Sequence, residues 1–366
     1  MGKPEDAPRW PVALWWHLRS CLGQNLTRDS LVSTSEGAGG HHDEDTVPST
    51  SHDVGVPPLS AADELGVSTA PWKVSVGIPT FNRSTSLKKA AESVLAQDHP
   101  DIELIISDNA STDDTKVICN ELAAGDSRVR YLRNDHNLGP TENFNLVRTA
   151  ATGDYFMWLG DDDQIDQSYV RRCLEMLHRF PGTALATGRV AYLSQGDFQY
   201  WGRQVEPRAG RATARVIEYC QRVRDNGTFY GLCPRWVVEA TDPMRNVMGG
   251  DLYLVASMAY LGPFRSVPDV TVHRATGGST ASLQNVARTA GLGRASIVLP
   301  QFVMVSQVFA DVGWLNGTYR CLSRLRRLSL GASCAFVFFW RFVVLNGPGA
   351  IKRALILATS HEASKG

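Results

Sequence analysis

The sequence predicts an α/β fold, a mostly parallel β-sheet flanked by helices and continued by a C-terminal helical extension. Two observations predict it. From Lys73 to Asp163, apolar runs of strand length alternate with segments of helical spacing, which implies right-handed βαβ units. The predicted strands also lead into polar clusters, at residues 80–83, 108–111, 134–139 and 161–163. In parallel sheets, ligands bind beyond those carboxyl ends.

The first strand lies at 73–79, where Val74, Val76 and Ile78 alternate and Pro79 is expected to end it. Residues 84–97 place Leu87, Ala91, Val94 and Leu95 at helical spacing, with Ser84 as the expected N-cap. A buried strand follows at 102–107, a helix at 113–124 and a third strand at 129–132. Residues 140–151 read as a helix with Pro140 in its first turn. The fourth strand, 155–159, runs into three aspartates. Residues 191–295 are less regular and richer in Arg, Trp and Gly, whereas 294–315 and 328–345 are apolar and read as helices. The expected organisation is a disordered tail at 1–70, the ligand-binding half of the sheet domain at 71–190, its second half at 191–295, and C-terminal helices at 296–366.

Composition narrows the function. The 366 residues carry 37 basic and 37 acidic side chains, a formal net charge of zero. Nucleic-acid binding needs a basic footprint that this balance lacks. The seven cysteines are scattered and never form a CxxC pair, so neither a zinc site nor a disulfide framework is suggested. The apolar stretch at 11–16 is shorter than a signal-peptide core and follows acidic residues. The expected location is the cytoplasm, including the inner face of the cell membrane.

Asp161, Asp162 and Asp163 are adjacent carboxylates that repel one another unless a cation or hydrogen bonds offset them. Oxygen ligands on a loop suit Mg2+ or Mn2+, with water and substrate phosphate completing the shell; a solvated acidic turn is the plainer alternative. Asp108 ends the second strand. Capping of the following helix falls to Ser111 or Thr112, which leaves the Asp108 carboxylate free for the imide N–H of a pyrimidine.

The run from Val74 to Asp166 resembles the nucleotide-binding half of the family 2 glycosyltransferases, inverting enzymes of the Rossmann-like GT-A fold. The matching pieces are VSVGIPTFNR, IISDNASTDDT, NLG, Asn145 and GDYFMWLGDDDQID, with Asn137 and Gly153 sixteen apart. The chain departs from the family at Asn109 and Phe144, where aspartate and arginine are common. The resemblance implies that Pro79, Thr80 and Asn82 line the donor base and ribose and that Asp108 contacts the base. It implies that Asn137, Gly139 and Asn145 shape the loop and helix beside the nucleotide. Asp161 is then expected near ribose or phosphates, Asp162 as principal metal ligand, and Asp163 assisting. His273 and Arg274, followed by Gly277-Gly278-Ser279-Thr280, resemble a segment that closes over the donor, which makes His273 a candidate metal ligand and Arg274 a candidate diphosphate partner.

Sugar transfer with inversion also needs one carboxylate to take the acceptor proton. Asp251 is the best candidate: glycines precede it, an apolar helix follows, and the family places its base at such a turn, commonly as Glu-Asp. Here Gly250-Asp251 keeps only the second acid. An N-capping role is the plainer alternative, and Asp242 and Asp269, each beside a proline, are weaker rivals.

The expectation is a hexosyl- or deoxyhexosyltransferase of cell-envelope polysaccharide biosynthesis. It would use a UDP- or dTDP-sugar and a glycan, lipid-linked oligosaccharide or glycolipid acceptor. The alternative is a non-catalytic nucleotide-sugar-binding protein of the same fold. A sugar-phosphate nucleotidyltransferase is disfavoured, because no Gly- and Arg-rich loop follows the first strand. Arginines flank 328–345 without an acid between Asp311 and Glu362. Either an interfacial anchor on an anionic leaflet or a buried helix with a solvated basic face fits; Arg341 and Ser333 weigh against a membrane span.

Overall fold

A computed structural model of the chain describes residues 72–276 and 282–345. The tail expected at 1–70 lies outside the described residues, as does the glycine-rich segment from Gly277. The first sheet contains β1 (Val74–Thr80), β2 (Ile102–Asp108), β3 (Val129–Arg133), β4 (Tyr155–Trp158) and the short β8 (Cys233–Pro234). Its order is β3-β2-β1-β4-β8, with the first four parallel and β8 antiparallel. Helices α1 (Ser84–Leu95), α2 (Thr115–Gly125) and α3 (Pro140–Ala150) connect the parallel strands. Chain order reverses between β1 and β4, so a crevice opens at their carboxyl ends.

Every residue of β1 and β2 is buried. The alternation read in β1 therefore hides a strand covered on both faces, as parallel strands are. Pro79 does not end β1, which runs to Thr80 with Pro79 opposite Ser107. Proline is tolerated because β4 pairs with β1 only as far as Gly77 and no ladder bond is lost there. Ser84 is the first helical residue of α1 and not its N-cap; its N–H is taken by Asp113 Oδ2 at 3.2 Å.

A second sheet, in the order β5-β9-β6-β7, stands apart from the first. It comprises β5 (Gln164–Ile165), β6 (Leu185–Ser194), β7 (Asp197–Trp201) and β9 (Phe264–Ala275). Helices α4 (Tyr169–Arg179) and α5 (Ala212–Arg222) fall in the same half, and α6 (Arg235–Ala240) and α7 (Gly250–Leu261) precede β9. Trp158 from the first sheet stacks on Phe229 at 4.8 Å, and Phe144 of α3 meets the same ring at 5.7 Å, so aromatic contacts help to join the halves.

The helix expected at 294–315 is broken. After α8 (Leu283–Thr289), α9 (Arg294–Val298) stops at Leu299, and α10 (Pro300–Ala310) begins with proline in its first turn. A residue before proline is pushed out of helical geometry, and Leu299 has φ −128° and ψ 52°. The last element, α11 (Arg324–Phe338), continues as a wider turn through Phe339–Leu345.

Glu103 ties the amino ends of three strands together. Its carboxylate accepts Ser75 Oγ, Thr152 N at 2.6 Å and Thr152 Oγ1, with Lys73 Nζ at 3.1 Å. Burial alone would raise this carboxyl, but those donors outweigh it and hold it at about 2. A depressed carboxylate stabilises the fold above its ordinary value of 4.5, and that contribution fades as pH falls toward about 2. Glu103→Gln is expected to cost about 2 kcal/mol in urea unfolding at neutral pH. The gap to wild type should close through that same acid window; a constant gap would mean the charge contributes nothing.

Candidate active site

The acid triplet lies just beyond β4, at the reversal point. Thr80 Oγ1 at the end of β1 donates to Asp161 Oδ2 at 2.8 Å, which locks the two strand ends together. Burial, with the adjacent Asp162 charge, pushes the Asp161 carboxyl up to about 7. Asp162 is the outward member. Its Oδ2 meets Arg83 Nη1 at 2.5 Å, while Arg83 Nε stands 3.8 Å from Asp161 Oδ1. A guanidinium thus occupies the place between two carboxylates where their chemistry calls for a cation. Asp162, Asn82, Arg83, Lys89, Gln164 and His273 share the wall of a 590 Å³ cavity.

Asp163 turns inward. Its side chain is 1% exposed, with Oδ1 accepting Ala275 N at 3.0 Å and Oδ2 facing Arg274 Nε at 3.3 Å. Burial pushes this carboxyl up to about 6 in spite of Arg274. Gly160 permits the turn, because a Cβ there would stand 2.6 Å from Asp163 Oδ2. Both oxygens of Asp163, expected as an assisting metal ligand, are engaged by the protein. Arg274 is likewise held against Asp163, Tyr192 and Tyr230 and not turned toward a diphosphate. His273, the expected metal ligand, lines the cavity with its Nε2 2.7 Å from Asp166 Oδ1. Among the described residues, no group of three His, Cys, Asp or Glu side chains is arranged to hold a metal. What fits a divalent cation is the smaller set, Asp162 with Asp161, completed by phosphate oxygens and water as Mg2+ sites commonly are.

Asp108 is not free. It is fully buried, with Oδ1 accepting Ser111 N at 2.8 Å and Oδ2 accepting Tyr131 Oη at 3.0 Å and Arg133 Nη1. The start of α2 is capped by neither Ser111 nor Thr112; Asp113 Oδ1 accepts Thr115 N at 3.0 Å. Pro79 and Thr80 are buried, so only Asn82 of that trio presents its side chain to the cavity. Asn82 sits at φ 53° and accepts Thr112 N. Asn137 and Gly139 do shape a loop: Asn137 Oδ1 accepts Asn109 Nδ2 and Gly139 N, both at 2.8 Å, and Gly139 takes φ 84° before α3. Asn145 lies in α3. It grips Met244 by both backbone atoms, at 2.9 Å each, and so anchors a distant loop.

Asp251 occupies the first turn of α7, where the helix dipole favours an anion. The left-handed Gly249, φ 79°, precedes the helix, so Asp251 is not its N-cap. Gly250 has no room for a side chain, since a Cβ would stand 2.2 Å from Arg245 O; that explains the missing glutamate. Asn226 Nδ2 donates to Asp251 Oδ2 at 2.9 Å and is itself held by Tyr219 Oη at 3.0 Å. Asn226 and Arg83 are the residues sequence reasoning assigned no role.

A parallel β3-β2-β1-β4 core with an acidic turn at its reversal point, joined to a second small sheet, defines the GT-A class of nucleotide-sugar folds. S. aureus TarS residues 1–349, solved in complex with UDP-GlcNAc, matches with a TM-score of 0.52 over 74% of this chain and 73% of that one. At 15% identity this is a likeness of fold alone. Residues 75–237 match Glycosyl transferase family 2. The Campylobacter jejuni GalNAc(5)-diNAcBac-PP-undecaprenol β-1,3-glucosyltransferase is 42% identical over 94 residues, 25% of this chain and 30% of that protein. The Salmonella typhimurium abequosyltransferase RfbV is 39% identical over 95 residues, 25% of this chain and 28% of that protein. The chain therefore covers less than a third of either relative's length.

Proposed function

We infer that this chain is an inverting, metal-dependent glycosyltransferase that moves a sugar from a UDP- or dTDP-sugar to a hydroxyl of a polysaccharide, lipid-linked oligosaccharide or glycolipid. The observation that carries it is the Thr80–Asp161 lock presenting Asp162 to a cavity at the reversal point of a family 2 domain. That TarS was solved with UDP-GlcNAc, and that the Campylobacter relative's name specifies an undecaprenol-linked glycan, support the donor and acceptor classes.

In this reading Asn82 and the cavity wall seat the nucleotide sugar. Arg83, the cation already between Asp161 and Asp162, turns to the diphosphate. Mg2+ or Mn2+ held by Asp162 would supply Lewis-acid stabilisation of the departing diphosphate. The acceptor oxygen attacks the anomeric carbon as the bond to phosphate breaks, and the nucleoside diphosphate keeps the electron pair. Asp251 takes the acceptor proton on Oδ1 while Asn226 steadies Oδ2. The test is nucleotide release from a panel of UDP- and dTDP-sugars with Mn2+, with and without undecaprenyl-linked acceptors. Release that no donor supports would sink the assignment.

The C-terminal helix supports a membrane-borne acceptor. Arg324–Leu345 is long and apolar enough to cross a bilayer by length and composition, with mean hydropathy 1.9. One side packs inward through Leu330, Cys334 and Phe338. The other exposes Leu325, Leu328, Phe336, Phe339 and Trp340, a stripe at helical spacing. This exposed apolar stripe supports the interfacial anchor over the buried helix with a basic solvated face. Arg320, Arg324 and Arg326 border the stripe, and each arginine near an anionic leaflet adds about 1 kcal/mol. Wild type is expected to float with phosphatidylglycerol vesicles and less with pure phosphatidylcholine. Phe336→Glu with Trp340→Glu should stay in the soluble fraction.

A further inference from the structure

The hairpin β6–β7 carries a feature that neither donor binding nor proton transfer uses. Its turn places Gln195 at φ 53° and Gly196 at φ 94°, both left-handed, the type I′ geometry that suits strand twist. β7 is the outer strand of the second sheet, and all five of its residues are exposed. Three of them are aromatic: Phe198, Tyr200 and Trp201. Such exposure on a sheet edge invites aggregation unless it serves contact with something.

A register shift beside Tyr192 sends these rings to opposite sides. Trp201 neighbours Phe198 at 5.2 Å, and the Arg189 guanidinium lies 3.4 Å from its ring centre. Tyr200 stacks flat on Tyr192, with centroids 4.6 Å apart and planes at 18°. Tyr192 joins this stack to the site. Its hydroxyl donates to Asp225 Oδ1 at 2.9 Å, next to the Asn226 that holds Asp251. The same hydroxyl accepts Arg274 Nη1 at 3.3 Å, and Arg274 holds Asp163. The inner ring of the stack thus bonds the neighbour of Asn226 and the arginine that holds Asp163, while the outer ring, 51% exposed, faces solvent.

We propose that Tyr200, backed by Tyr192, is a stacking platform for a pyranose ring of the acceptor glycan; this rests on the glycosyltransferase reading. A rigid aromatic face matches the apolar C–H face of a sugar, and Asp197 and Gln199, exposed on the same strand, offer partners for its hydroxyls. A single ring face is too small for a stable protein partner, which takes about 800 Å² a side.

The full chain is tested on an array of immobilised mono- to tetrasaccharides of hexoses, deoxyhexoses and N-acetylhexosamines. On the glycan captured best, Tyr200→Ala and Tyr200→Leu are expected to weaken binding about tenfold. Tyr200→Phe, and Trp201→Ala on the opposite side, should stay within about twofold. Wild type that captures no glycan, Tyr200 variants that bind like wild type, or an equal loss from Trp201→Ala would each overturn the platform. Nucleotide release from the donor panel, run on the same preparations, separates the two failures. Its absence in wild type counts against the transferase, and its presence beside unchanged Tyr200→Ala binding counts against the platform alone.

Discussion

Asp251→Asn is expected to lower sugar transfer by about 10² to 10⁴-fold, the usual worth of a positioned general base, while donor affinity stays unchanged. The amide keeps the shape of the carboxylate and can still meet Asn226, so a folding defect is not the expected cause. Helix α7 is buried on nearly every side from Tyr253 to Leu261, and the substitution sits at its partly exposed start. Acceptor turnover and calorimetric UDP binding are the two readouts. Transfer at the wild-type rate would remove Asp251 from the chemistry and leave Asp242 or Asp269 to be tried. Donor binding without any wild-type transfer would instead favour a nucleotide-sugar-binding protein. Asp269 is the poorer substitute, because it already pairs with Arg172 of α4.

Asp162→Ala is the second large effect. Asp162 is the triplet member whose carboxylate faces the cavity and, among the described residues, meets no protein donor but Arg83. Its loss should abolish the Mn2+-dependent part of UDP binding, read by calorimetry with and without EDTA. Undiminished affinity would contradict the metal role. The pH dependence has a definite sign. Asp161 is pushed up to about 7, so the ligand-free fold favours its neutral form. Its contribution to stability is complete below its ordinary 3.8 and is lost as pH rises through about 7. Cation binding needs the anion and releases that proton, so affinity for UDP with Mn2+ should climb up to about pH 7 and then level. In Asp162→Ala, with the Mn2+-dependent part of binding gone, that rise with pH should be absent.

Local periodicity carried much of this fold. The strand-and-helix alternation from β1 to β4 was legible because each element announces itself within a dozen residues, and the acid triplet because three carboxylates after an apolar strand are unusual. The second sheet was not legible. β5 has two residues and pairs with β9 through Gln164↔His273 and Ile165↔Val272, partners more than a hundred positions away. The same separation hid the true positions of site residues. Asp108 looked free because Tyr131 and Arg133 belong to another strand, and Asn145 looked like a nucleotide neighbour because its grip on Met244 spans 99 positions. Asn226 had no signal at all; it earns a role only once folding sets it against Asp251.

The apolar C-terminal helix has a practical consequence for anyone trimming the chain to improve handling. Just past α11, Arg341 donates to Cys220 O at 2.5 Å and to Val223 O. Those carbonyls root the turn on which Asp225 and Asn226 stand. Stopping the chain short of position 341 would strip two interior acceptors of their donor and loosen the mount that aims Asp251. A shortened protein that has lost turnover would therefore not show that lipid contact is required.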